Sequence, residues 1–86
     1  MKMNRLDGRA AREIAMSDLA PGFNILVKER PGHYKFDENA FSNLGDAELL
    51  GMVEHYSSLV QKGMGWKAAV AQVYEKARAD SVIGFK

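Results

Sequence analysis

The sequence lacks cysteine and is poor in proline and tryptophan, with two prolines and one tryptophan in 86 residues. Without cysteine it can form neither a disulfide nor a zinc site with thiolate ligands, so packing or association must stabilise a small core. No apolar run approaches the roughly 20 residues that span a bilayer, and the charged first residues differ from a secretory leader. We therefore expect one small soluble domain, residues 1–86, located in the cytoplasm.

An excess of charge of either sign is also absent. The 12 lysines and arginines nearly balance the 11 aspartates and glutamates, which gives a net charge of +1. A dedicated nucleic-acid binder carries a clear basic excess, and a protein that mimics DNA carries a large acidic one. The charge is nevertheless segmented, because basic residues outnumber acidic ones in 1–36 and 64–86, whereas acidic residues dominate 37–63.

Sequence motifs of catalysis and metal binding are missing as well. There is no cysteine nucleophile, no HExxH or GxSxG motif and no glycine-rich phosphate loop. His55 follows Glu54 on a predicted helix, where adjacent side chains point about 100° apart. His33 and Asp37 lie about 13 Å apart along an extended chain. We therefore predict a protein that is not an enzyme and that binds no metal or cofactor.

The amino-terminal half predicts a helix followed by a β-hairpin. Residues 4–20 carry a thin apolar stripe, and Pro21-Gly22 is expected to end this helix. Apolar and polar residues alternate through residues 23–28 and again through 34–36, which is the period of a strand. A proline and a glycine between the two runs suit a four-residue turn across residues 30–33.

The carboxyl-terminal half predicts two helices and an apolar tail, residues 81–86. The first helix covers about 46–62, with Gly45 as N-cap and Gly63 after its end. Its apolar stripe consists of Leu49, Met52, Val53, Tyr56, Leu59 and Val60. The stripe of the second helix consists of Trp66, Ala69, Val70, Val73, Tyr74 and Ala77. The predicted fold class is α+β, in which the helices cover one side of a small antiparallel sheet.

Three groups of residues are candidates for binding a partner. The basic tip of the predicted hairpin consists of Lys28, Arg30, His33 and Lys35. The tail contributes the apolar residues Val82, Ile83 and Phe85 to a partner contact or a homodimer. An acidic face is expected from Asp46, Glu48 and Glu54 on the helix 46–62.

These groups favour a protein–protein interaction module, such as a small accessory or inhibitor protein that acts by surface binding. Complementary charge would steer the encounter and the apolar tail would supply contact area. The alternative is a nucleic-acid-binding regulator that uses the basic hairpin as a wing against phosphates. A third interpretation is equally open, since lysine and arginine on an edge strand also protect it from aggregation.

Overall fold

A computed structural model describes residues 8–85 and shows a helical protein. The elements are α1 (Gly8–Ile14), a π-helical turn (Ala15–Leu19), α2 (Ala20–Glu29), α3 (Glu38–Ser42), α4 (Asp46–Gln61) and α5 (Trp66–Ala79). The described part of the chain contains no β-strand, so the predicted α+β class and its β-hairpin are wrong. Residues 4–7 of the predicted first helix lie outside the described residues.

The helix does not end at Pro21 but continues through it. A proline inside a helix lacks an N–H and its ring clashes with the carbonyl four residues earlier. A π turn directly precedes this proline, since the Ala20 N–H donates to the Ala15 carbonyl, five residues back, and the hydrogen bonds have left the α-helical register before Pro21. Pro21 then lies in the first turn of α2, where a missing N–H is tolerated. The residues predicted as the first strand therefore extend the helix.

Gly22 permits close contact between helices and does not terminate one. A Cβ atom at Gly22 would lie 2.8 Å from both methyl groups of Val70 on α5. Leu19, Phe23 and Leu26 are spaced four and three apart and are all buried. This helical period was present in the sequence, beside the strand-like alternation that includes Ile25.

The turn predicted across residues 30–33 is present, although it joins no strands. The His33 N–H donates to the Arg30 carbonyl at 3.1 Å, and Gly32 has a φ of +96°. Residues 35–37 are irregular and lead into α3. The Asp37 carboxylate accepts a hydrogen bond from the Ala40 N–H at 3.1 Å, which caps the start of this short helix.

The prediction of a helix at about 46–62 is confirmed by α4. At its start, the Glu48 carboxylate accepts a hydrogen bond from the Gly45 N–H at 3.3 Å. At its end, Gly63 has a φ of +98°, and the Met64 N–H donates to the Leu59 carbonyl at 3.1 Å. This is the six-to-one bond of a Schellman motif, which requires the left-handed residue that glycine supplies.

The helices pack around one core. Helix α1 runs parallel to α4, and their starts are so close that a Cβ at Gly8 would lie 2.6 Å from the Cβ of Asp46. Arg12 fixes this pair, since its guanidinium contacts the Asp46 carboxylate at 2.8 Å and the Leu44 carbonyl at 2.7 Å. Helix α5 folds back on α4, while α2 leaves α4 and packs against α5.

Candidate functional site

The described part of the tail, residues 81–85, lies on the core and contains a buried ring. Phe85 is 0% exposed, and its ring centroid lies 4.9 Å from that of Phe23 and 5.5 Å from that of Tyr74. The Asp37 N–H donates to the Gly84 carbonyl at 2.9 Å, which attaches the tail to the chain before α3. The tail is therefore part of the folded domain.

This placement changes the predicted role of the tail residues. Phe85, expected to contact a partner or a second copy, is unavailable to either because aromatic rings surround it. Val82 is half-buried against the core. Ile83, which is 67% exposed, presents the most apolar surface of the three. A partner contact of the kind predicted would rest mainly on Ile83.

The basic residues expected at a hairpin tip lie instead around the turn after α2. Lys28, Arg30, His33 and Lys35 are all exposed. His33 and Lys35 line a depression of about 320 Å³, which Lys28 and Arg30 do not line. We call it the basic depression, and its walls are Gly32, His33, Lys35, Tyr74, Arg78 and Phe85. The sequence did not indicate that Arg78 joins this group.

The three acidic residues predicted to share a face are exposed but point in different directions. At 100° per residue, Asp46, Glu48 and Glu54 are spread around α4 instead of lying along one side. Asp46 is also occupied by its ion pair with Arg12 at 2.8 Å. The structure therefore does not bring these carboxylates together as one acidic surface.

A groove of about 260 Å³ lies between the first half of α4 and the second half of α5. Met52, Val73 and Ala77 contribute apolar surface, while His55 and Glu48 are among its polar lining residues. Within residues 8–85, no three histidine or carboxylate side chains are close enough together to hold a metal ion. The surface of the groove is mainly apolar.

A surface that the sequence did not predict is formed by three large apolar side chains. Ile25 on α2, Val60 near the end of α4 and Trp66 at the start of α5 are 37%, 41% and 40% exposed. We call these three residues the Trp66 surface. The sequence placed Ile25 on a strand and assigned Val60 and Trp66 to the buried stripes of their helices.

The exposure of Val60 follows from the route of the long amino-terminal helix. Val60 lies on the same side of α4 as the buried residues Leu49 and Val53. Helix α1 and the π turn cover the earlier part of that side, but α2 then crosses to α5. The last turn of the apolar stripe is therefore less covered than its start, and Val60 is 41% exposed.

The helices that carry the Trp66 surface are in contact, since α5 packs against both α2 and α4. Burial and, secondarily, the nearby Asp18 carboxylate raise the pKa of Tyr56 above its ordinary value of 10.0. The π turn and α4 are neighbours here, and Gly22 and Val60 follow Asp18 and Tyr56 by four residues in the sequence. A ring carbon of Trp66 lies 3.3 Å from the Cβ position at Gly22, so the indole covers this glycine.

Among the described residues, 8–85, no helix is both long enough and apolar enough to cross a membrane. Comparison with family models, curated proteins and solved structures finds no significant match to this chain, so its own geometry must carry the functional argument.

Proposed function

We propose that this protein is a non-enzymatic protein-binding module that contacts its partner through the Trp66 surface. The observation that carries the proposal is the exposure of three large apolar side chains, Ile25, Val60 and Trp66, which are 37%, 41% and 40% exposed. Grouped apolar side chains on a surface mark interaction sites. Tryptophan is also enriched among the residues that dominate binding energy.

The surroundings of this surface have the composition of an interface rim. Lys67 forms an ion pair with Glu29, and both side chains are about half exposed. Lys62 is exposed at the end of α4. Polar and charged residues beside an apolar centre are usual in specific protein interfaces. The arrangement suits a small accessory or inhibitor protein that acts by covering a surface of its partner.

Two further parts of the functional prediction belong to this proposal. The cytoplasmic location expected from the sequence can be checked by fractionation of cells that produce the protein. The nucleic-acid alternative depended on a hairpin wing, and residues 23–36 form no hairpin. We therefore favour a protein partner.

A matched pair of variants tests the proposal. Val60→Lys places a charge in the Trp66 surface, whereas Ile83→Lys places one on an exposed apolar residue of the tail. A photoreactive amino acid at position 60, with position 83 as control, identifies the protein that contacts each site in cells. We expect Val60→Lys to abolish binding of the protein that crosslinks at position 60, and Ile83→Lys to retain it, with unchanged helical circular dichroism in both.

The tryptophan provides a direct readout of the same surface. The chain has one tryptophan, so all indole emission comes from Trp66. Binding of the identified partner should shift this emission to shorter wavelength as the ring leaves water. If Val60→Lys binds as tightly as the unaltered protein, the Trp66 surface is not the interface. Sedimentation over a range of concentrations shows whether the partner is a second copy of the chain.

A further inference from the structure

We propose that the basic depression binds a phosphate monoester, which carries two negative charges near neutral pH. The proposal is independent of the Trp66 surface, since it rests on different residues. Three cationic or titratable side chains converge there from two parts of the chain. His33 and Lys35 come from the turn after α2, and Arg78 comes from the last turn of α5.

The floor of the depression is rigidly built. Tyr74 and Phe85 are 1% and 0% exposed. The Tyr74 hydroxyl accepts a hydrogen bond from the Lys35 N–H at 3.0 Å and donates one to the Phe85 carbonyl at 3.4 Å. One buried side chain therefore holds both the turn segment and the tail against α5. The backbone at Lys35 is fixed in place beside the helix that carries Arg78.

The walls are aligned by the same aromatic cluster. The His33 ring meets Tyr34 edge-on at 4.7 Å between centroids, and Tyr34 meets Tyr74 at 4.9 Å. Arg78 follows Tyr74 by four residues, so it lies one turn further along the same face of α5. Residues that carry an imidazole, an ammonium and a guanidinium group therefore line one concave space.

The donors in this space lack acceptors within the described part of the chain. No carboxylate among residues 8–85 lines the depression. Neither Lys35 nor Arg78 forms an ion pair with any residue from 8 to 85, whereas Arg12, Lys67 and Lys76 do. The Gly32 N–H also has no hydrogen-bond acceptor among these residues. An oxyanion would supply acceptors for a guanidinium fork, an ammonium and a backbone amide together.

The shape favours a single phosphate group over a nucleic-acid backbone. A duplex or single strand needs cations distributed along a track of successive phosphates. Here the cations surround one depression, while Lys28 and Arg30 lie outside it. A monoester dianion matches two or three neighbouring positive charges better than a diester, which carries one negative charge.

The test follows backbone amide resonances of the isotope-labelled protein during titration with inorganic phosphate, at ionic strength held constant with chloride. We expect saturable shifts at Gly32, His33 and Lys35. Arg78→Gln should weaken binding by about tenfold or more, since it removes charge-assisted hydrogen bonds. Arg9→Gln removes the same charge from an exposed position on α1 and should leave binding unchanged. If both variants weaken phosphate binding equally, the effect comes from net charge alone and the proposal is wrong.

Further probes distinguish the source of the phosphate. A phosphoserine peptide and a nucleoside monophosphate both present a monoester, and tighter binding of either one identifies the ligand class. Dimethyl phosphate and an oligonucleotide without a terminal phosphate present only diesters. The proposal is wrong if phosphate produces no saturable shift, or if the oligonucleotide binds more tightly than every monoester and shifts Lys28 and Arg30 as well.

Discussion

Replacing Phe85 with alanine should strongly destabilise the protein, because the ring lies inside the aromatic cluster. Its centroid lies 4.9 Å from Phe23, 5.5 Å from Tyr74 and 6.0 Å from Phe41. Truncation of a buried phenylalanine costs about 3–5 kcal/mol. The loss of several edge-to-face contacts places this site toward the upper end of that range.

The effect should be large compared with total stability. Native domains have unfolding free energies of about 5–15 kcal/mol, and in a domain of this size 1 kcal/mol shifts Tm by about 4–8 °C. We therefore expect Phe85→Ala to lower Tm by roughly 15 °C or more. Ile83→Ala, two residues earlier and 67% exposed, should change stability by less than about 0.5 kcal/mol.

Urea unfolding followed by circular dichroism measures both variants. The slope against urea concentration should stay similar if only the folded state has lost contacts. If Phe85→Ala unfolds at the same urea concentration as the unaltered protein, the tail does not dock as described. A change in oligomeric mass without loss of stability would instead favour the original expectation that the tail contacts another chain.

Two further perturbations test the helix contacts. Gly22→Ala should destabilise by about 1–2 kcal/mol, because its Cβ would lie 2.8 Å from both Val70 methyls and overpacking outweighs the gain in helix propensity. Gly51→Ala, with nothing within 4 Å of its Cβ position, should stabilise the protein by up to about 1 kcal/mol. Urea unfolding measures both changes in unfolding free energy, and changes of the same sign would contradict the contact between Gly22 and Val70. Because the pKa of Tyr56 is raised in the folded state, the unfolded chain loses this proton first, and stability should fall as pH rises above 10.0. Tyr56→Phe should show a shallower alkaline loss in unfolding experiments at successive pH values, and an identical loss would refute the shift.

The elements predicted correctly are those fixed by local hydrogen bonds. Helix α4 begins at Asp46 because Gly45 and Glu48 complete its first turn, and it ends where Gly63 takes a positive φ. The turn across residues 30–33 was predicted on similar grounds, since a proline followed by a glycine already defines it. These interactions span only a few residues, so the local sequence contains them completely.

The error at residues 20–29 arose because two periods fitted the same residues. Strand-like alternation at Phe23 and Ile25 competed with helical spacing from Leu19 to Leu26, and Pro21 was taken as the end of the helix. The π turn that accommodates Pro21 depends on how the continuous helix packs on both α4 and α5. That packing is not visible in a local pattern.

In the candidate sites too, some features follow from the local sequence and others depend on tertiary packing. The sequence by itself determined which residues are apolar or basic, where α4 is capped and where the chain turns after α2. Only the tertiary structure decided that Phe85 is buried, that Val60 and Trp66 remain exposed, and that Arg78 joins His33 and Lys35. The physical reason is that an apolar stripe is buried only where another element covers it, and charges converge only where distant segments meet.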